Sequence, residues 1–465
     1  MRNKMIQVGK QIIVLLVVCC LLSGSIPPAS AKNLPHGWEG PHVKWQYNPA
    51  TKTLTLSGKG RMTNAQEMES ADIAYEDPCH HPSYERYRNQ IKKVVFGEGI
   101  TDAGFGCFSG MENLTKVKFS NSVKAIREEA FMYCSKLKKV TLPPHLKKIE
   151  ESAFSGTDIK KIKLPEGIEE VQENAFEFTG LKKINIPKSL KELPPTIYAK
   201  KKWMKSYHVP KHIESIGYSS FERCKNLKSI TLNKNLKKVD AWAFADCKNL
   251  TSIKLPAQLE EIGEGAFDSC NFTTVTIPKQ VKIMKEGIFT DCKSLEKAVI
   301  LSDKVTTLKG TFQGCKSLKE VVLPKNLKHL GDFTFYECQS LESVEIPDAV
   351  KTLGEGVFDK CSTLKTVKLP DSIKSIRRYT FKNSGIESIT IPSKVTRIET
   401  EAFMNCTNLK EIHVQSDKIN EIWHEKVFLG VPSDCVVYVP AAKVEQYRGM
   451  FQNGGLDPNI QIIGE

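Results

Sequence analysis

Lysine offers the clearest chemistry in this chain. Lys116, Lys118, Lys138, Lys139, Lys160, Lys161, Lys163, Lys182 and Lys183 recur at nearly regular intervals, and Lys205 continues the series. Like charges set in a column focus a positive potential on an acidic ligand. Further along, the equivalent places carry Ser252, Thr274, Glu320, Ser343, Glu345, Glu387 and Glu411, so the basic character belongs to one stretch. The simpler alternative is a solvated face that lysine keeps soluble and guards against edge pairing.

Cysteine is the second candidate. Cys134, Cys224, Cys247, Cys270, Cys292, Cys315, Cys338, Cys361 and Cys406 each stand three residues after a phenylalanine. A column of reduced, buried thiols is the expectation, because free cysteine behaves as a small hydrophobe. No C-x-x-C or paired-histidine spacing marks a zinc site. Cys79-His80-His81 is the one Cys/His cluster. It reads as ordinary loop residues, as partial metal ligands, or as a partner for Cys107 through Cys79. G-x-S-x-G, H-E-x-x-H, Walker and dinucleotide fingerprints are all absent. We therefore expect no enzyme activity, no metal and no cofactor.

What must position these residues is a repeat. Phenylalanine recurs at 108, 131, 154, 176, 221, 244, 267, 289, 312, 335, 358, 381, 403 and 428, with Tyr198 filling the one gap. Spacings are 22 or 23 residues up to the last, which is 25. Each unit reads L-x-x-I-x-L-P, then L-x-x-I, then A-F-x-x-C. The alternation of Val140 and Leu142 has the period of a strand, which Pro143 ends. One unit cannot bury its own apolar face, but stacked units build a continuous core. The expected fold is a leucine-rich-repeat solenoid, a horseshoe or arc with a parallel β-sheet. About fifteen coils at ~4.8 Å would give a length of roughly 70 Å. The units beginning at Phe154, Phe176, Phe267 and Phe381 lose one residue in the turn just after the ring, leaving both apolar segments intact.

The blocks LKKVTLPPHLKKIEESAF, LTSIKLPAQLEEIGEGAFDSC and LKTVKLPDSIKSI resemble the BspA-type leucine-rich repeats of secreted and surface proteins. The resemblance runs from about residue 91 to 440. VKWQYNPATKTLTLSGKGRM is similar to the family's N-terminal hairpin, and CVVYVPAAKVEQY to its C-terminal ending. What the resemblance implies is secretion or surface display and, for members with a role, adhesion to matrix proteins or other cells.

The chain's ends fit that picture. Arg2, Lys4 and Lys10 precede the apolar run Ile12 to Leu22, and small residues follow to Ala31. This is a signal-peptide pattern, and the run is too short to span a bilayer. Residues 1–31 are thus read as signal peptide, 32–90 as a cap with a β-hairpin and loop, 91–440 as the solenoid and 441–465 as a C-terminal cap. Within 38–60, Val43, Trp45, Tyr47, Leu54 and Leu56 alternate with polar residues on either side of Asn48-Pro49. Val437–Pro440 reads as a last strand and Lys443–Met450 as a short sealing helix. The divergent unit around Tyr198, with Lys200, Lys201, Lys202, Trp203 and Lys205, reads either as a worn repeat or as a basic contact loop.

The chain carries 67 Lys+Arg against 53 Asp+Glu, a formal net charge of +14, which favours acidic partners. The functional expectation is a non-enzymatic binding protein that holds an extracellular protein or an acidic glycan on its lysine face. Sulfated or sialylated glycans, teichoic acid and acidic protein segments all fit. Nucleic acid is a minor option, since no RNA-binding motif accompanies the charge. A structural envelope or matrix component without a defined ligand is the alternative, and an enzyme with a hidden site a remote one.

Overall fold

The computed structural model describes residues 34–38, 42–62 and 83–465. The signal-like segment and the Cys79-His80-His81 cluster, with any bond from Cys79 to Cys107, lie outside the described residues.

The chain folds as a solenoid in which each coil has three sides. The first side is the expected parallel sheet. In Lys116–Lys118 the middle residue Val117 is buried and both lysines face out, as strand alternation requires. The second side was not anticipated: the L-x-x-I segment forms a two-residue strand of its own. Lys148–Ile149 pairs in parallel with Glu170–Val171 one coil on, and fifteen such strands run along the molecule. Two residues are too few to show an alternation in sequence, which is why this second sheet was missed.

The third side is the A-F-x-x-C turn. The residues two before and two after the ring take left-handed backbone, as in Glu129 (φ 54°) and Tyr133 (φ 57°). Gly265, Gly287, Gly310 and Gly356 occupy this place without strain. Alternating hand points alternate N–H groups along the stack. Glu129, Phe131 and Tyr133 thus donate to the carbonyls of Glu151, Ala153 and Ser155 at 2.9, 2.8 and 2.7 Å. Those bonds offset the cost of left-handed non-glycine residues.

Inside the turn the rings stack. Phe221–Phe244, Phe335–Phe358 and Phe403–Phe428 have centroids 5.2, 5.7 and 5.6 Å apart and planes within 4° of parallel. The stack begins at Tyr84 on Phe108, is interrupted between Phe176 and Tyr198, and ends at Phe428 on Phe451. Tyr198 stacks on Phe221, but its hydroxyl lies 3.3 Å from that of Tyr207. Each thiol of the column donates to the carbonyl of the preceding coil's ring residue, from Cys134 to Phe108 (3.1 Å) to Cys406 to Phe381 (3.1 Å). The column is buried and unbridged, and it is hydrogen-bonded as well as packed.

Unit length is not neutral, contrary to the expectation that the deleted residue vanishes into a turn. Wherever a 22-residue unit follows a 23-residue one, the first sheet weakens. Val140–Thr141 closes one sheet and Lys161–Ile162 begins another. Residues 251–256 form no strand before Thr274–Ile277. Between Thr366–Val367 and Ser388–Ile391 only Thr366↔Ser388 remains paired. The strand starts one residue sooner after its phenylalanine, so its amides arrive displaced from the preceding ladder. Two further breaks, between Lys183–Ile184 and Ser206–His208 and between Glu320–Val322 and Ser343–Val344, fall at 23-residue units, and unit length does not explain them.

Both ends are covered. Strand β1 (His36–Trp38) pairs antiparallel with β2 (Val43–Asn48), and β2 with β3 (Thr53–Gly58). β3 pairs in parallel with Lys93–Phe96, so the cap continues the first sheet. Its buried face is Val43, Trp45, Tyr47, Leu54 and Leu56. At the other end helix α1 (Val444–Asn453) buries Tyr447 and Phe451. Val436–Val439 is not the last strand, because Gln461–Gly464 pairs in parallel outside it.

Candidate ligand-binding face

The strand register sets the lysines in rows. Lys93 is paired with Lys116, Val117 with Val140, and Lys161 with Lys183. Lys93, Lys116, Lys139, Lys161 and Lys183 therefore form one row on the first side, followed by Ser206 and Ser229. Lys93 is a member that the sequence reading missed. Lys118 stands beside Thr141 in the next row, which Lys163 continues at the matching place of its unit. Lys138, Lys160, Lys182 and Lys205 precede their strands and line the rim. All ten candidate lysines are exposed.

What distinguishes these lysines is that so many stand together with so little counter-charge. Lys138 and Lys160 both reach Asp158, each at 3.9 Å. The other eight have no carboxylate within 4.0 Å among the described residues. Further along the same side some charges are matched, as in Lys297–Glu320 at 2.7 Å, Lys319–Glu296 at 3.2 Å and Lys410–Glu387 at 2.9 Å, while the exposed Lys228, Lys254 and Lys368 make no ion pair among the described residues. The second side is matched in part, through Lys148–Glu170 at 2.9 Å, Lys237–Glu214 at 2.8 Å and Lys282–Glu260 at 2.7 Å, with Lys124, Lys191 and Lys351 left without an ion pair among the described residues. Like charges placed directly opposite in a sheet repel. The pairs Lys93↔Lys116 and Lys161↔Lys183 therefore cost stability with no partner to offset it.

The break after Val140–Thr141 opens a cleft of about 990 Å³ in this face. Leu142, Pro144 and Pro165 supply an apolar floor above the buried Val140, Ile162 and Leu164, while Lys138, Lys139, Lys160, Lys161, Lys163 and Lys183 stand around it. One carboxylate, Glu166, lies at its edge. Asn185 closes the far end. Its side chain accepts from the Leu164 N–H (2.8 Å) and donates to the Leu164 carbonyl (3.1 Å), standing in for a ladder partner. Lys116 and Lys118 lie one coil before the cleft, and Lys182 and Lys205 outside its lining.

The divergent unit is mostly a worn repeat. Lys201 takes the cysteine place and is buried, its ammonium donating to the Thr179 carbonyl at 3.1 Å. Burial holds its pKa below the ordinary lysine value. Lys200 pairs with Glu177 at 2.7 Å. Neither is available to a ligand, though Trp203 and Lys205 remain exposed.

A second cavity, about 570 Å³ on the second side, gathers Arg377, Arg378, Arg397 and Trp423. No spacing signal marks it, since these residues belong to three different units. Its charges are largely spoken for: Arg377–Glu355 at 3.2 Å, Arg397–Glu399 at 3.1 Å, and the Arg397 guanidinium 4.8 Å over the Trp423 ring. No group of three or more His, Cys, Asp or Glu that could hold a metal occurs among the described residues. Nor is any described helix long and apolar enough to cross a membrane.

Three-sided coils, stacked rings and two parallel sheets define a leucine-rich-repeat solenoid. The model of the BspA type leucine-rich repeat region matches in six copies, over residues 82–205, 194–310, 289–410 and 328–431. The chain therefore belongs to that family. A leucine-rich repeat protein from Bacteroides ovatus is similar over 91% of this chain and 98% of its own, with 21% identity and a TM-score of 0.51. One from Eubacterium ventriosum covers 73% of this chain and 97% of its own, at 22% identity and TM-score 0.50. These likenesses establish the fold. No curated protein matches the chain at a significant level.

Proposed function

We propose that this protein is a secreted or cell-surface binding protein, without catalytic activity, that holds an acidic protein or polyanionic glycan on the lysine face of its first sheet. The observation that carries this reading is the uncompensated charge. Eight exposed lysines lack a carboxylate partner there in successive coils, whereas elsewhere unpaired lysines are interspersed with ion pairs such as Lys148–Glu170, Lys237–Glu214 and Lys297–Glu320. Unpaired charge that costs folding stability points to a use outside the fold. The pattern of residues 1–31 supports export.

The test is binding of the protein to arrayed glycans and matrix proteins at low and physiological salt. A second sample carries Lys138, Lys139, Lys160, Lys161, Lys182 and Lys183 changed to Glu. Saturable binding that weakens with salt and disappears in the Glu variant is the expected result. Binding that survives the change, or no binding to any ligand, overturns the assignment.

A further inference from the structure

We infer that the cleft in the lysine face takes an extended acidic peptide whose carboxylates alternate with apolar side chains, rather than a sulfated or uronic glycan. The inference rests on the basic-face reading above and narrows it to one ligand class.

Leu142, Pro144 and Pro165 present hydrocarbon over the buried Val140, Ile162 and Leu164, with no aromatic ring among the residues lining the cleft. A sulfated glycan is polar on every edge. Laid on this floor it would lose water from its hydroxyls and gain no hydrogen bond in return. Sugar rings also favour aromatic faces, and none is offered here. A peptide with alternating side chains can meet both surfaces at once. In extended backbone successive side chains point to opposite faces, and the slight twist of a strand lets acidic ones splay to the rim. The apolar set would lie on the floor while the acidic set reaches Lys139, Lys161 and Lys163.

The ligand lies across the face, not between the coils. Lys148 stays paired with Glu170 on the second side, and Phe131 and Phe154 stay stacked at 5.4 Å, so the coils cannot part. The reach from Lys138 to Leu142 gives room for roughly five extended residues.

The experiment is fluorescence anisotropy on the purified protein at physiological salt, with three labelled probes of equal charge. The first is an octapeptide alternating aspartate with leucine or valine. The second replaces its apolar residues with serine. The third is a heparin-type sulfated oligosaccharide. The alternating peptide should bind about tenfold or more tighter than the other two, the margin expected for one or two buried aliphatic side chains. Leu142→Ser should erase that margin, and the double change Lys161→Glu with Lys163→Glu should abolish binding. Should Leu142→Ser disturb folding, as read by circular dichroism, Thr141→Trp fills the cleft from an exposed position and should have the same effect. Equal affinity for the three probes, or preference for the oligosaccharide, combined with loss in the lysine variant, overturns the peptide inference and leaves the basic-face reading standing. Failure of every probe to bind overturns both.

Discussion

At the scale of single residues the thiol column and its one interruption are the most informative. Burial pushes the Cys134 and Cys224 thiols up to about 12, and Cys270 well above the ordinary range. At pH 8 they stay protonated and shielded, so iodoacetamide should label them only after the protein is unfolded. The same shift makes stability fall with alkalinity. Between the unfolded thiol value, near 8.5, and the raised folded value, the unfolded chain binds fewer protons, so each pH step favours unfolding. Lys201 acts in the opposite sense, since its folded pKa is lowered and the unfolded chain binds more protons up to about 10.4. Nine thiols outweigh one amine, and urea midpoints should fall steeply from pH 8.5 upward. Lys201→Cys would restore the column and remove a buried charge. It should raise stability at pH 7 by about 1 kcal/mol or more, readable as an increase in Tm. The sequence revealed the cysteine spacing, but not that each sulfur bonds to a carbonyl in the preceding coil. Nor could spacing tell that Lys201 turns inward, because a lysine in a basic run reads as exposed.

At the scale of the element, the ring stack and the first sheet were legible because phenylalanine and the strand alternation recur at fixed intervals. Three features were not. The second sheet hides in two-residue strands, the terminal strand Gln461–Gly464 carries no repeat signature, and three of the sheet breaks follow from a one-residue deletion whose position gives no hint of its consequence. Likewise the lysine positions were readable, but their missing partners depend on which carboxylates neighbouring coils supply. Two changes test the element-scale account. Phe289→Ala, at a fully buried ring stacked on both sides, should cost about 3–5 kcal/mol in denaturant unfolding. Asn185→Ala would leave the Leu164 N–H and carbonyl without their partner. A loss of about 1–3 kcal/mol is expected, with faster amide exchange at Leu164.

At the scale of the whole molecule the charge is divided by region as well as by side. Densely basic near the first coils, it becomes a mixture of ion pairs and scattered lysines beyond. Removing the cap strands Val43–Asn48 and Thr53–Gly58 would bare the edge of Lys93–Phe96 and the buried side of that coil. Concentration-dependent association in light scattering should follow. The alternating bonds of the third side have a mechanical consequence. Each coil is held to the next by short main-chain bonds and, except between Phe176 and Tyr198, a ring contact, and coils far apart do not touch. Under tension from its two ends the molecule should not rupture at once but pay out like thread from a spool. Each coil set free would release roughly 70–80 Å of slack. A force–extension trace would then show a train of near-equal steps, and a bound ligand bridging three coils should hold back the steps beneath it.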